Sequence, residues 1–300
     1  MMQRVDWNEL PAAVRDAVGQ HCGELRQVTP VNAGINNAVA CVIDAGDGAV
    51  FVKGIPADDP RAWMYRNEVA AAGAGAPGPR QLWNIDVEGW VLIGWKHVRG
   101  RHADLAPGSP DLDLIAAALW DLDALPPLAS TTILAAESHR WERMQPWRRL
   151  AADPPAQLDP WVKSHLNTFA ETEYDALQIL VGNHLVHTDV HPHNVLIDNQ
   201  HSRAHLIDWA WARPGVAWID AELIAFRLVA AGHTCNAANH WRLHHLPHPH
   251  LAPEIRSAFA IEMLGTWLYL SERQPSRDML KESSAHALRW AQHLHQHRTE

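Results

Sequence analysis

The segment HTDVHPHN at 187–194 lies between two short apolar runs, LVH leading into it and VLID following it. A third run of the same kind, AHLID, ends at Asp208, fourteen residues after Asn194. Apolar runs of this length, bounded by turn-forming residues, read as short strands. Closely spaced strands read as a hairpin, and here the hairpin delivers Asp189, Asn194 and Asp208 to one rim. Any fold for this chain must therefore hold a small piece of sheet whose edge presents a carboxylate, an amide and a second carboxylate, in that order.

That order matches the needs of phosphoryl transfer, which asks little covalent chemistry of a protein and much positioning and charge neutralisation. A carboxylate must orient the acceptor hydroxyl and take its proton, the role open to Asp189. Asn194 and Asp208 offer hard oxygen ligands suited to Mg²⁺ on nucleotide phosphates. His187 is placed to prop the loop. The competing use of Asp189 and Asn194 is as turn-capping residues, which Asp and Asn commonly are.

Upstream residues favour the chemical use. Lys53 stands in AVFVKGIP, an apolar strand pattern in which a lone lysine is unfavourable unless paired. Glu68 follows fifteen residues later in RAWMYRNEVAAA, a segment of helix-forming composition. A lysine on a strand and a glutamate on the next helix can form the ion pair that holds an ammonium toward nucleotide phosphates.

With these residues in view, the chain resembles the aminoglycoside phosphotransferase and choline kinase-like group of small-molecule kinases, which share the protein-kinase fold. HTDVHPHN resembles that family's catalytic loop, LIDW its metal-binding aspartate, and GVAWIDAEL at 215–223 the segment after it, with Gly215 and Asp220 in their usual places. The resemblance spans roughly residues 25 to 230. It implies Asp189 as catalytic base, Asn194 and Asp208 as magnesium ligands, and Lys53 with Glu68 on the side of an ATP or GTP donor. No His-Arg-Asp or Asp-Phe-Gly is present, which argues against a protein kinase.

Three departures from the family pattern stand out. Thr188 occupies a position where the family commonly has glycine, and so does His193. The expected phosphate-covering loop, TPVNAGINNAV at 29–39, contains a single glycine, Gly34, although Asn32, Asn36 and Asn37 tolerate the turn conformations of a hairpin. Asn36 is taken as the loop's contact with the nucleotide. In WVLIGWKHVRG at 90–100, the crossing to the larger lobe, backbone groups from Trp95 to Val98 are expected to read a purine edge.

The fold class expected is α+β, a two-lobed protein-kinase-like fold with a small β-rich N-terminal lobe and a larger, mainly helical C-terminal lobe. The lobes are drawn at 1–98 and 99–300. Three hundred residues with 47% apolar content can bury such a core, and no repeat or low-complexity linker divides the chain. The reading gives a helix in residues 1–24 with Leu10, Val14 and Val18 inward, strands at 25–31, 38–44 and 49–55, and a hairpin turn around Val87, Glu88 and Gly89.

Charge and composition limit the partners. A formal charge of −9 without a basic run disfavours nucleic acid. No long apolar run or basic-apolar leader occurs, so neither a membrane span nor a signal peptide is expected and the location expected is the cytoplasm. Cys22, Cys41 and Cys235 are widely spaced, which suggests reduced thiols rather than a disulfide framework or a zinc site. The histidines near 233–250 and 293–297 lack interleaved acidic or thiol ligands, so no metal is assigned to them. Trp209, Trp211 and Trp218 bracket Asp208, and packing is their expected use.

Residues 234–300 carry six acidic against seven Lys and Arg residues, so that segment is no strongly anionic trap for a polycation. The acceptor favoured is a hydroxyl-bearing antibiotic or related metabolite, in antibiotic inactivation or self-resistance. The alternatives are a metabolite kinase acting on choline, an amino acid or a sugar, and a non-catalytic pseudokinase-like module that binds nucleotide or a partner. Neither the oligomeric state nor the donor preference is legible.

Overall fold

The computed structural model describes residues 4–32, 37–46, 48–129 and 143–298. It is a mixed α+β fold that divides into two compact units. The first runs to His102 and regains His193–Ala212; the second holds the intervening described residues and those from Arg213 onward.

The first unit is built on β1 (Leu25–Pro30), β2 (Val39–Ala45), β3 (Gly48–Pro56), β4 (Gln81–Val87) and β5 (Trp90–Lys96). They form an antiparallel sheet in the order β1-β2-β3-β5-β4. Alternation decides which side chains face which way. Val39, Cys41 and Ile43 of β2 and Val50 and Val52 of β3 point into one core, which α1 (Ala12–Cys22) closes with Val14 and Val18. Each fully buried valine or isoleucine there contributes roughly 1.5–3 kcal/mol. Phe51, Lys53 and Ile55 alternate to the opposite face, where α2 (Ala62–Gly73) packs Tyr65 and Met64 against Ile55 and Ile93. That parity is why Lys53 meets a residue of α2.

The turn between β4 and β5 is the two-residue loop foreseen at Glu88 and Gly89. Both residues have positive φ, 47° and 73°, as the primed hairpin turns require, and Gly89 takes the more extreme value without steric cost. The stretch read as a crossing is in large part a central strand, because Trp90–Lys96 pairs with β3 on one side and β4 on the other.

A second sheet of this unit joins β6 (Gly100–His102), β8 (Val195–Asp198) and β9 (Arg203–Leu206). The β8–β9 pair is the hairpin expected from the apolar runs. Its pairing with β6 draws residues 193–212 into the first unit. Where the sequence suggests one boundary after Val98, the two units interleave along the chain.

In the second unit, β7 (His184–Val186) pairs with β10 (Arg213–Gly215). The rest is helical: α3 (Asp111–Asp123), α4 (Pro146–Ala152), α5 (Pro160–Gln178), α6 (Ile219–Ala230), α7 (Cys235–His245), α8 (Pro253–Arg273) and α9 (Asp278–Gln296). Helix α5 starts where the Asp159 side chain accepts the Trp161 N–H and Pro160 fits the first turn. It buries Val162, Leu166, Phe169 and Leu177, one stripe at helical spacing. Glu222 of α6 accepts from Arg242 Nε of α7 at 2.5 Å and from Arg256 Nε of α8 at 2.8 Å, a buried ion cluster tying three helices. No helix of the described residues is long and apolar enough to cross a membrane.

Candidate active site

Lys53, Glu68, Asn194 and Asp208 all fall in the first unit. Lys53 and Glu68 are 6% and 3% exposed, and the Lys53 ammonium lies 2.5 Å from Glu68 Oε1. The same Nζ is 3.5 Å from Asp208 Oδ1 and 5.5 Å from the centre of the Tyr65 ring. Burial alone would push the ammonium's pKa down, but the Glu68 and Asp208 carboxylates outweigh it and hold Lys53 above its ordinary value. Lys53 is thus a fixed cation between two carboxyl groups, and burial pushes the Glu68 carboxyl up to about 7 against the pull of the Lys53 charge.

Asn194 and Asp208 leave the β8–β9 hairpin side by side. Val195 pairs with Leu206, and one step outward Ile207 N–H donates to the Asn194 carbonyl at 2.9 Å. Asp208 follows at φ 61° and ψ 60°, a left-handed conformation that aspartate tolerates better than most residues. Its side chain is about half exposed while Asn194 is buried. Mg²⁺ is typically held by one or two protein oxygens, with phosphate and water supplying the rest. A carboxylate and an amide on one rim, the carboxylate open to solvent, fit that donor set.

The other nucleotide-side residues are placed unevenly. Trp95 pairs with Phe51, and His97, two residues on, donates its N–H to Ala49 O, so the register commits the Trp95 main chain to Phe51. Trp95 thus lies inside the sheet, paired with Phe51 on one side and Gln81 on the other. Val98, past the end of β5, makes no main-chain hydrogen bond among the described residues. Asn36 lies outside the described residues, as does Gly34. Asn37 is described, and its Oδ1 accepts the Tyr65 hydroxyl at 2.8 Å.

The second unit places Asp189. The chain leaves β7 at Val186, and the buried Asp220 carboxylate on α6 accepts the His187 N–H at 2.7 Å and the Thr188 N–H at 2.8 Å. The Asp189 N–H donates to His187 Nδ1 at 3.3 Å, so the His187 ring props the loop as expected of it. Thr188 sits at φ 63°, the reason glycine suits this position. His191 Nε2 is 3.6 Å from Asp189 Oδ2. Burial would raise the Asp189 pKa, but the nearby His191, with His187 and Arg227, outweighs it and holds the carboxyl below its usual range. Asp189 is therefore ionised at neutral pH, as a proton acceptor must be.

Sequence reasoning gave Asp220 a place but no task, and passed over Tyr65, Asn67, His191 and Arg227. Asp220 grips the loop from thirty-two and thirty-three residues away, a relation that no local spacing reveals.

A family model described as the phosphotransferase enzyme family matches residues 27–241. The chain belongs to that family. It is a phosphotransferase. The match covers Lys53, Glu68, Asp189, Asn194, Asp208 and Asp220. Among solved structures, the phosphotransferase fold recurs in an aminoglycoside phosphotransferase from Alicyclobacillus acidocaldarius, with a TM-score of 0.62, 17% identity and 97% of each chain covered. A thermostable mutant of the aminoglycoside phosphotransferase APH(4)-Ia, in complex with ADP and hygromycin B, matches at a TM-score of 0.60 and 16% identity, over 93% of this chain and 98% of that one. The choline kinase LicA from Streptococcus pneumoniae matches at 0.58 and 15%, over 94% and 98%. A search of curated proteins finds no match.

Proposed function

We propose that this phosphotransferase moves the γ-phosphoryl group of Mg·ATP or Mg·GTP to a hydroxyl of an antibiotic or related small metabolite, in the cytoplasm, and so inactivates the antibiotic. Asp189 orients the hydroxyl and accepts its proton. Lys53, held by Glu68, directs its ammonium to the nucleotide phosphates, while Asn194 and Asp208 supply oxygens for Mg²⁺, whose charge offsets that of the phosphates. The Val98 main chain meets the purine edge, and Asn36 belongs to the loop over the phosphates. On this reading the residues before Val98 serve the nucleotide and most of those after it serve the acceptor and the chemistry.

The observation carrying the reading is the buried Lys53 shared between Glu68 and Asp208. A lysine removed from solvent is unfavourable without a partner, and here its partners come from a helix and from the hairpin rim that bears Asn194. Such a cluster suits a polyanionic ligand better than it suits mere stability.

Thermal unfolding with Mg·ATP, Mg·GTP and each nucleotide without Mg²⁺ tests the donor half. A Mg²⁺-dependent rise in Tm supports it, since a ligand at about 100 times its Kd stabilises by about 2.7 kcal/mol. No rise with either nucleotide at millimolar concentration contradicts it.

A further inference from the structure

The Asn67 amide, next to Glu68 on α2, is engaged away from Lys53. Its Nδ2 donates to the carbonyl of Ala210 at 2.9 Å and to that of Ala212 at 2.6 Å. Those carbonyls belong to the short turn Trp209–Trp211 and the residue that ends it, the stretch that begins immediately after Asp208. One turn earlier on α2, the Trp63 ring meets the Trp211 ring edge-on, with centres 5.2 Å apart. The Ala212 N–H returns to Trp209 O at 3.0 Å, so the turn is closed on itself.

These contacts complete a circuit. From Glu68 it runs through the Lys53 ammonium to Asp208, along the chain to Ala210 and Ala212, and back through Asn67 to Glu68. The charged half of the circuit is what a bound polyanion would pull on. The uncharged half is indifferent to it, because an amide donating to two carbonyls carries no net charge and responds little to added phosphate or metal. We propose that Asn67 is a positioning residue that fixes the distance between α2 and the turn after Asp208, and so sets Glu68, Lys53 and Asp208 in their binding arrangement before any ligand arrives.

The alternatives for this amide are weaker. A polar residue on the exposed side of a helix has no need of two carbonyl partners, and a purely stabilising contact has no reason to select the turn bearing Asp208. The two N–H donors of the asparagine amide satisfy both carbonyls at once from this helix position. The inference rests on the nucleotide-binding reading given above, and the test separates the two.

The first readout uses the ligand-free protein. Asn67→Leu keeps similar volume and removes both donors, so hydrogen exchange of the amides from Ile207 to Ala212 should quicken while that of β2 stays as in the wild type. The second readout is a titration of nucleotide binding against Mg²⁺. Asn67→Leu should need about tenfold more Mg²⁺ for half-saturation, the order expected when a buried donor is lost. Asn67→Gln, which retains the amide, should recover part of this. A folded Asn67→Leu with wild-type exchange at 207–212 and a wild-type Mg²⁺ titration overturns the inference.

Should Asn67→Leu fail to fold, Trp63→Leu at the half-exposed ring partner is expected to move both readouts in the same direction, and no movement in either overturns the coupling. A wild-type protein that binds no nucleotide sinks the functional reading instead, and the exchange data then stand or fall alone as evidence that Asn67 positions Asp208.

Discussion

Lys53 and Glu68, fifteen residues apart, form an ion pair of 2.5 Å with both side chains almost wholly out of solvent. The strand's two-residue period puts Lys53 on the face that α2 covers, and the helix's stripe puts Glu68 beneath Tyr65 in the same layer.

Breaking one side of that pair should be far worse than replacing both. Lys53→Met alone strands a buried carboxylate and is expected to lower unfolding free energy by about 3–5 kcal/mol, whereas Lys53→Met with Glu68→Leu should recover much of that loss. Urea denaturation of the three proteins measures it. Equal losses in the single and double variants would show that the pair is not a buried ion pair.

Thr188 offers a test of backbone geometry. At φ 63°, alanine pays the steric penalty of the left-handed region and glycine does not, so Thr188→Gly should be more stable than Thr188→Ala by about 1 kcal/mol. In ordinary helix or strand positions the order is reversed. Alanine proving the more stable of the two would mean that the loop does not hold this conformation.

Asp220 should matter for both stability and turnover. Asp220→Ala leaves the N–H groups of His187 and Thr188 without their acceptor, at about 1–3 kcal/mol for each buried donor, and frees the residue next to Asp189 to move. Asp220→Asn keeps one acceptor oxygen and should fall between alanine and wild type. Wild-type stability and turnover in Asp220→Ala would contradict this role.

The pH dependence follows from the direction of the Asp189 shift. Its folded-state pKa is depressed, so its contribution to stability is present above the unfolded value of about 3.9 and is lost as pH falls through the lower folded value. The Asp189 carboxyl is therefore ionised throughout pH 5–8. The kcat/KM profile should therefore show no ascending limb there that Asp189→Asn abolishes, and such a limb centred near pH 6 would contradict the assignment.

Much of this was legible in the sequence because it was local. Val14 and Val18 marked α1, Glu88 and Gly89 the turn, and the apolar runs around Asn194 and Asp208 the hairpin, each through a period or a turn preference that a short window contains. The Lys53 and Glu68 pairing was legible because a charge in an apolar strand demands a partner. What stayed hidden was non-local. The return of 193–212 to the first unit depends on pairing with β6, nearly a hundred residues earlier. The grip of Asp220 on the loop and the bridge from Asn67 to Ala210 and Ala212 depend on which helix a distant turn lies against.

The central claim is transfer of phosphate to a small-molecule hydroxyl with Asp189 as the base. The most direct test is to incubate the protein with Mg·ATP and, separately, Mg·GTP, together with a panel of hydroxyl-bearing antibiotics and metabolites, and to detect phosphorylated product by mass spectrometry beside Asp189→Ala. The expected result is a product whose rate of formation falls by about 10²–10⁴-fold or more in Asp189→Ala while nucleotide affinity is largely kept. Product formed equally well by the variant, or Mg²⁺-dependent nucleotide binding with no transfer to any member of a broad panel, would contradict it.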